Sequence, residues 1–220
     1  MHTTPAFAAL TLITAAAFVR AGELPENLAP MDIAVEPRTE LLSAQAHDVV
    51  QFWRAAGPGL WFAKDADFDT RLRERFLLAH EAAARGELEH WQATPEGSLA
   101  LVILLDQFPR NAFRGTSRAY ATDALGRRAA ATALAAGYDR RIPRELRRFF
   151  VLPYAHSEDL ADQERAVALA RRIGPEDLAH AEHHRAIVQR FGRFPHRNRI
   201  LGRESTPAEQ QYLDNGGYQG

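Results

Sequence analysis

The chain has 220 residues, 46% of them hydrophobic and 25% charged, with a formal net charge of −1. That length and balance are ordinary for a soluble globular protein with a substantial core, and the near-neutral charge argues against a general nucleic-acid binder, which needs a basic surplus to displace counterions. With no cysteine, disulfides, thiolate metal sites and cysteine nucleophiles are excluded, and with Lys64 as the single lysine so is most Schiff-base and phosphate-loop lysine chemistry.

Pro5 to Val19 is apolar and uncharged. Val19-Arg20-Ala21 resembles a signal-peptide cleavage site, but the n-region offers only His2 and the terminal amine. The other readings are a disordered tail and a true start at Met31. The run is too short for a comfortable membrane span. Pro25, Pro30 and Pro37 make residues 22–39 a linker. Residues 1–39 are therefore expected to be an extension and 40–220 a helical domain, cytoplasmic, or periplasmic if residues 1–21 are a cleaved signal. No membrane or nucleic-acid partner is expected.

From Glu40 the pattern is helical. Leu41, Leu42, Val49, Val50, Phe52 and Trp53 form a stripe that Gly57-Pro58-Gly59 ends. Asp65 or Asp67 caps the next helix, whose Phe68, Leu72, Phe76, Leu77 and His80 fall at spacings of three and four, and Gly86 stops it. Thr94 caps a helix with Pro95 in its first turn. The unbroken apolar run Leu99–Leu105 follows, read as helix because of that cap, and Pro109 ends it. Ala119–Ala136, Pro143–Leu152, Asp159–Ile173 and Pro175–Phe191 complete the set, with Gly192 as the last stop. Short Gly/Pro turns between antiparallel pairs predict an all-α fold compatible with a superhelical stack of helical hairpins.

Two turns share one grammar: an apolar run, Phe-Pro, then Arg and Asn. They are Asp106-Gln107-Phe108-Pro109-Arg110-Asn111 and Arg193-Phe194-Pro195-His196-Arg197-Asn198. A carboxylate directly after Leu101–Leu105 is buried enough to need a partner, and arginine is the natural one. Arg110, Asn111 and Arg114 lie after it. In the second turn Gly192 and Pro195 stiffen the loop carrying Arg193, His196, Arg197 and Asn198, and fixed arginines read carboxylates or phosphates. The structural alternative is that these arginines pair with Asp106 and Glu158 and staple loops to helices.

His184 falls at the centre of the apolar face of its helix, with His180, Ile187, Val188 and Phe191. His156-Ser157-Glu158 lies at a break between helices, where His156 and Glu158 can serve as acid and base. Ser157 is explained more simply as a helix N-cap with Glu158 or Asp159 beside it. Only His180 and His184 have an enforced helical spacing, so no metal is expected and the cofactor is unknown.

The strings Leu-Leu-Asp-Gln-Phe-Pro-Arg-Asn, Phe113-Arg114-Gly115-Thr116, His156 to Arg165 and Arg190 to Arg203, with Phe52-Trp53 and Leu60-Trp61-Phe62, resemble the bacterial domain-of-unknown-function family 924 from about Ala44 to Tyr218. The resemblance implies a single-domain tetratricopeptide-like right-handed superhelix of antiparallel helical pairs, and a fold rather than an activity. Its signature positions here are Asp106, Gln107, Arg110, Asn111, Arg114, His156, Glu158, His184, Arg185, Arg193, His196, Arg197 and Asn198. Arg54 departs from the family, which more often has an aromatic there.

These residues are read as a pocket for a small anionic molecule. Asp106, Arg110, Asn111, Arg114, Arg193, His196, Arg197 and Asn198 bind, and His156, Glu158 and His184 are the catalytic candidates. The alternative is a tetratricopeptide-like module that clasps an acidic peptide, its polar signature being structural.

Overall fold

The computed structural model describes residues 45–220, so the expected helix start at Glu40, the linker and the signal-like segment lie outside the described residues. Within those residues every regular element is helical and no strand is formed. Helix α1 (Gln45–Ala56) buries Val49, Val50 and Trp53. A single turn, α2 (Pro58–Trp61), follows, and its Trp61 indole donates to the Trp53 carbonyl at 2.6 Å. Helix α3 (Ala66–Ala84) starts where expected, the Asp65 carboxylate accepting from the Phe68 N–H at 2.7 Å. It buries Phe68, Leu72, Phe76 and His80. Helix α4 (Pro95–Val102) is capped by Thr94, whose hydroxyl accepts from the Gly97 N–H at 3.0 Å.

The apolar run from Leu99 predicts one helix ended by Pro109. Instead α4 passes into a π-helical turn at Ile103–Gln107 and then into α5 (Phe108–Ala112), with Pro109 in the first turn of α5. Proline accounts for the break. It has no N–H to offer the Leu105 carbonyl four residues back, and the Phe108 N–H reaches five residues back to Ile103 instead of to Leu104. Two buried carbonyls are freed, and side chains satisfy both. The Thr122 hydroxyl donates to Leu105 at 2.6 Å, and His80 Nδ1 donates to Leu104 at 2.9 Å. The wider turn puts Asp106 and Gln107, both buried, where the site needs them.

A second departure lies at Thr122. The helix expected over Ala119–Ala136 is a 3-10 turn at Ser117–Tyr120 and then α6 (Asp123–Ala135), with non-helical backbone at Thr122 (φ −106°, ψ 9°). Gly126 of α6 lies against the π turn: a Cβ there would stand 3.3 Å from the Asp106 Cβ. The segment expected as a helix from Pro143 is 3-10 over Arg144–Phe150, followed by α7 (Leu152–Ala155). Pro153 sits in the first turn of α7, where its missing N–H is tolerated.

Helix α8 (Leu160–Ala170) is capped by Asp159, not Ser157; its carboxylate accepts from the N–H groups of Ala161 and Asp162 at 2.8 and 3.0 Å. Helix α9 (Pro175–Phe191) ends at Gly192, whose φ of 72° is the left-handed stop read from the sequence. Helix α10 (Pro207–Asp214) is not among the elements expected. Thr206 and Glu209 form a full capping box at its start.

Helix α4 is buried from Gly97 onward because α1 and α6 both pack on it; α5 packs on α3, and α8 packs on both α7 and α9. The principal core runs from α1 to α9. A smaller cluster of Ile187, Val188 and Phe194, with Phe191, Tyr212 and Tyr218, forms beside it. Thr122→Val keeps the shape but leaves the Leu105 carbonyl unsatisfied, since Pro109 cannot replace the donor. The expected loss is about 1–3 kcal/mol in urea unfolding; a change near zero would show that the carbonyl finds another partner.

Candidate functional site

Asp106 is fully buried and its carboxylate is held from three sides. Gln107 Nε2 donates at 2.6 Å, His156 Nδ1 lies 2.9 and 3.0 Å from its two oxygens, and Arg110 Nη1 lies 3.2 Å away. Burial works against its charge, but Arg110, then His156 and Gln107, outweigh burial and hold the carboxyl well below the usual range. A carboxylate can only accept, so His156 donates its Nδ1–H. Burial and then Arg110 lower the His156 imidazole below its ordinary value of 6.5, against the pull of Asp106. The ring is therefore neutral at pH 7, and Nε2 is its basic atom.

His156 lines a cavity of about 570 Å³ lying between the two clusters. Its walls carry Arg110, Arg114, Arg197 and Lys64, the imidazoles of His156, His180, His184 and His196, and apolar surface from Trp61, Phe62, Leu152 and Ile200. None of the lining side chains is acidic. The carboxylates stand behind the arginines. Asp123 takes both Nη groups of Arg110, at 2.8 and 3.0 Å, and Asp69 takes Arg114 at 2.5 and 3.0 Å. Asn111 also accepts from Arg114.

Arg197 is different. Only 7% of its side chain is exposed, its nearest carboxylate oxygen is Asp123 Oδ2 at 3.7 Å, and its Nε has no hydrogen-bond partner. The guanidinium packs 4.6 Å from the ring centres of both Tyr120 and Phe194. The Nδ1 atoms of His184 and His196 are buried and unpartnered as well. Such groups are uncommon in folded proteins and mark places where something else completes the bonding. Burial, then the neighbouring imidazoles, pushes His184 far down, and burial, then Arg197, lowers His196 to about 3. No group of three His, Asp or Glu side chains among the described residues is arranged to hold a metal ion.

The family description "Bacterial protein of unknown function (DUF924)" matches residues 49–217. The chain belongs to the DUF924 family. A similar solved structure is that of the protein of unknown function ATU0120 from Agrobacterium tumefaciens. It is 56% identical, with a TM-score of 0.77, over 79% of this chain and 98% of that one. No curated protein matches. No helix among the described residues is long and apolar enough to cross a membrane.

Of the DUF924 residues singled out in the sequence, Gln107, Arg110, Asn111, Arg114, His156, His184, His196 and Arg197 line the cavity, and Asp106 stands directly behind His156. Four others lie away from it, and one of these, Arg185, pairs with Glu164 at 3.2 Å. Glu158, expected to exchange protons, accepts from the Phe194 N–H at 2.8 Å and from Arg203 at 2.6 and 2.9 Å, so it ties the α8 start to the loop after α9. Arg193 is bidentate to Glu209, at 2.6 and 2.8 Å, and anchors α10. Asn198 bonds Ser205 and Arg203 at 3.1 and 3.0 Å. These three staple loops, as the structural alternative holds for part of the signature. The sequence reading does not include Asp123, Tyr120 or Tyr218. Asp123 falls inside the stretch Ala119–Ala136 expected to be helical, and its role comes from contacts made across the fold.

Acid tests the histidines of this DUF924 chain. A histidine depressed in the folded state binds its proton more readily when unfolded, so its contribution is complete above about pH 6.5 and is lost as pH falls toward the folded value. Asp106 is depressed too, but its contribution is lost only below its ordinary 3.8. The melting temperature is therefore expected to fall between about pH 6.5 and pH 4, and His184→Gln to flatten that fall. Identical slopes in the two proteins would contradict the burial of a neutral imidazole at position 184.

Proposed function

We propose that this protein binds a small anionic molecule in the cavity and acts on it by proton transfer, with Arg197 holding the anion and His156 moving the proton. The observation that carries the reading is Arg197, a buried guanidinium with an unpartnered Nε and a carboxylate no nearer than 3.7 Å. Its fork is free to take two oxygens of a ligand, a strong and directional interaction in a site shielded from water. Supporting it is the sidedness of the charges, cations at the wall and carboxylates behind.

The proton-transfer part rests on the Asp106–His156 pair. An ionised carboxylate fixes the tautomer and orientation of the ring, as in the histidine–carboxylate arrangement of hydrolases. The outward nitrogen can then take a proton from, or give one to, a ligand or a water. Neutral His184 and His196, within the same wall, offer hydrogen bonds without adding charge. The other reading, a tetratricopeptide-like superhelix clasping an acidic peptide, draws on the α8–α9 hairpin, a unit from which such superhelices are built. It calls for arginines spread along an open groove, whereas Arg110, Arg114 and Arg197 gather around one cavity of a size that suits a small molecule.

Thermal-shift screening against organic acids and phosphates at pH 7 tests the proposal. At least one anion is expected to stabilise the protein, and Arg197→Met to weaken its binding by roughly 10–100-fold, the loss of one charged hydrogen-bonding group. If no anion stabilises the wild type, the reading fails. His156→Asn is expected to retain some of the binding and to lose turnover of any ligand found to react.

A further inference from the structure

The charges around the cavity balance before any ligand arrives. Arg110 and Arg197 face Asp106 and Asp123. The Arg114–Asp69 and Arg203–Glu158 pairs are each closed on themselves, and the two opposite charges left at the cavity mouth, Lys64 and the Gly220 α-carboxylate, are exposed to solvent, where they are screened. The imidazoles are neutral at pH 7. A ligand entering as an anion therefore adds one uncompensated negative charge to a site of low polarisability, and a dianion adds two. One group in the wall is placed to restore the balance: His156, already against the Asp106 carboxylate, with Nε2 open toward the cavity.

The groups that face His156 make this the natural acceptor. They are Asp106 from the π turn, Arg110 from α5, Asp123 from α6, His180 and His184 from α9, and His196 from the turn after it, with Arg197 in the same cavity wall. Both carboxylates favour the imidazolium. Arg110 opposes it, and a bound anion at Arg197 offsets that opposition. None of the other imidazoles touches a carboxylate; His184 is in contact with His180, Phe194 and Tyr218 instead.

The remaining wall says what accompanies the charge. Trp61, Phe62, Ala119, Leu152 and Ile200 present hydrocarbon and aromatic surface in the same cavity, and apolar surface is covered by an apolar ligand body. Resting on the proposed anion site, we infer that the cavity takes an organic monocarboxylate with an apolar body, and takes it up together with one proton that goes to His156. The carboxylate bonds Arg197, the proton comes from solvent, and no covalent bond is made or broken. The net result is uptake of the weak acid, divided between a guanidinium and an imidazole.

Isothermal titration of the full chain with benzoate and with hexanoate, in buffers of different ionisation enthalpy at pH 7, counts the protons taken up. The expected number is near one, with affinity rising up to about tenfold for each unit of pH lowered. Phenyl phosphate and succinate are expected to bind at least tenfold more weakly than the monocarboxylates. In His156→Asn the proton uptake disappears while some benzoate binding remains. Binding of benzoate without a proton, proton uptake that survives in His156→Asn, or a preference for the dianions overturns this inference and leaves the anion site standing. Absence of binding by all four probes overturns both.

Discussion

Pro109 carries no N–H, and it follows a buried helix in which every carbonyl needs a donor. The Leu105 carbonyl cannot be satisfied along the chain, the ladder slips by one residue into a π turn, and Thr122 and His80 reach in from other helices to close it. Those two bonds do more than repair a defect. They tie α6 and α3 to the point where the chain carries Asp106, and Gly126 lets the α6 backbone come close enough to seal that carboxylate from water. The rigidity of the site follows from the same break that interrupts the helix.

A buried carboxylate is stable only when its partners are fixed, and here each partner has a second commitment. Arg110 is shared with Asp123, Gln107 lines the cavity, and His156 leads to the cavity through its other nitrogen. A buried pair of this kind adds little net stability over hydrophobic packing, but removing one member strands a charge. The arrangement is better understood as orientation. It holds one imidazole tautomer in place without motion of the backbone, at a wall where Arg197 remains under-paired.

Much of this was legible in the residues. Caps at Asp65 and Thr94 and the glycine stop at Gly192 follow local rules, and they mark helix ends correctly. The repeated grammar of Phe-Pro followed by Arg and Asn points to Arg110 and Arg197, and the helical period points to His184; all three reach one cavity. Local rules fail where a distant group decides. The π turn depends on Thr122 and His80, both far along the chain. Glu158 and Arg193 look like site residues by their neighbours, yet Arg203 and Glu209 capture them. The Thr206–Glu209 capping signature was readable, and α10 with it, but α10 lends no residue to the cavity and holds Arg193 away from it.

The account turns on the ionised Asp106 fixing His156 with its proton on Nδ1 and its Nε2 bare toward the cavity. Nitrogen-15 NMR of the histidine side chains at pH 7, with the His156 signal assigned by its absence in His156→Asn, reads that state directly. The account predicts a neutral ring protonated at Nδ1 in the free protein. A ring carrying its proton on Nε2, or an imidazolium in the absence of ligand, would contradict it.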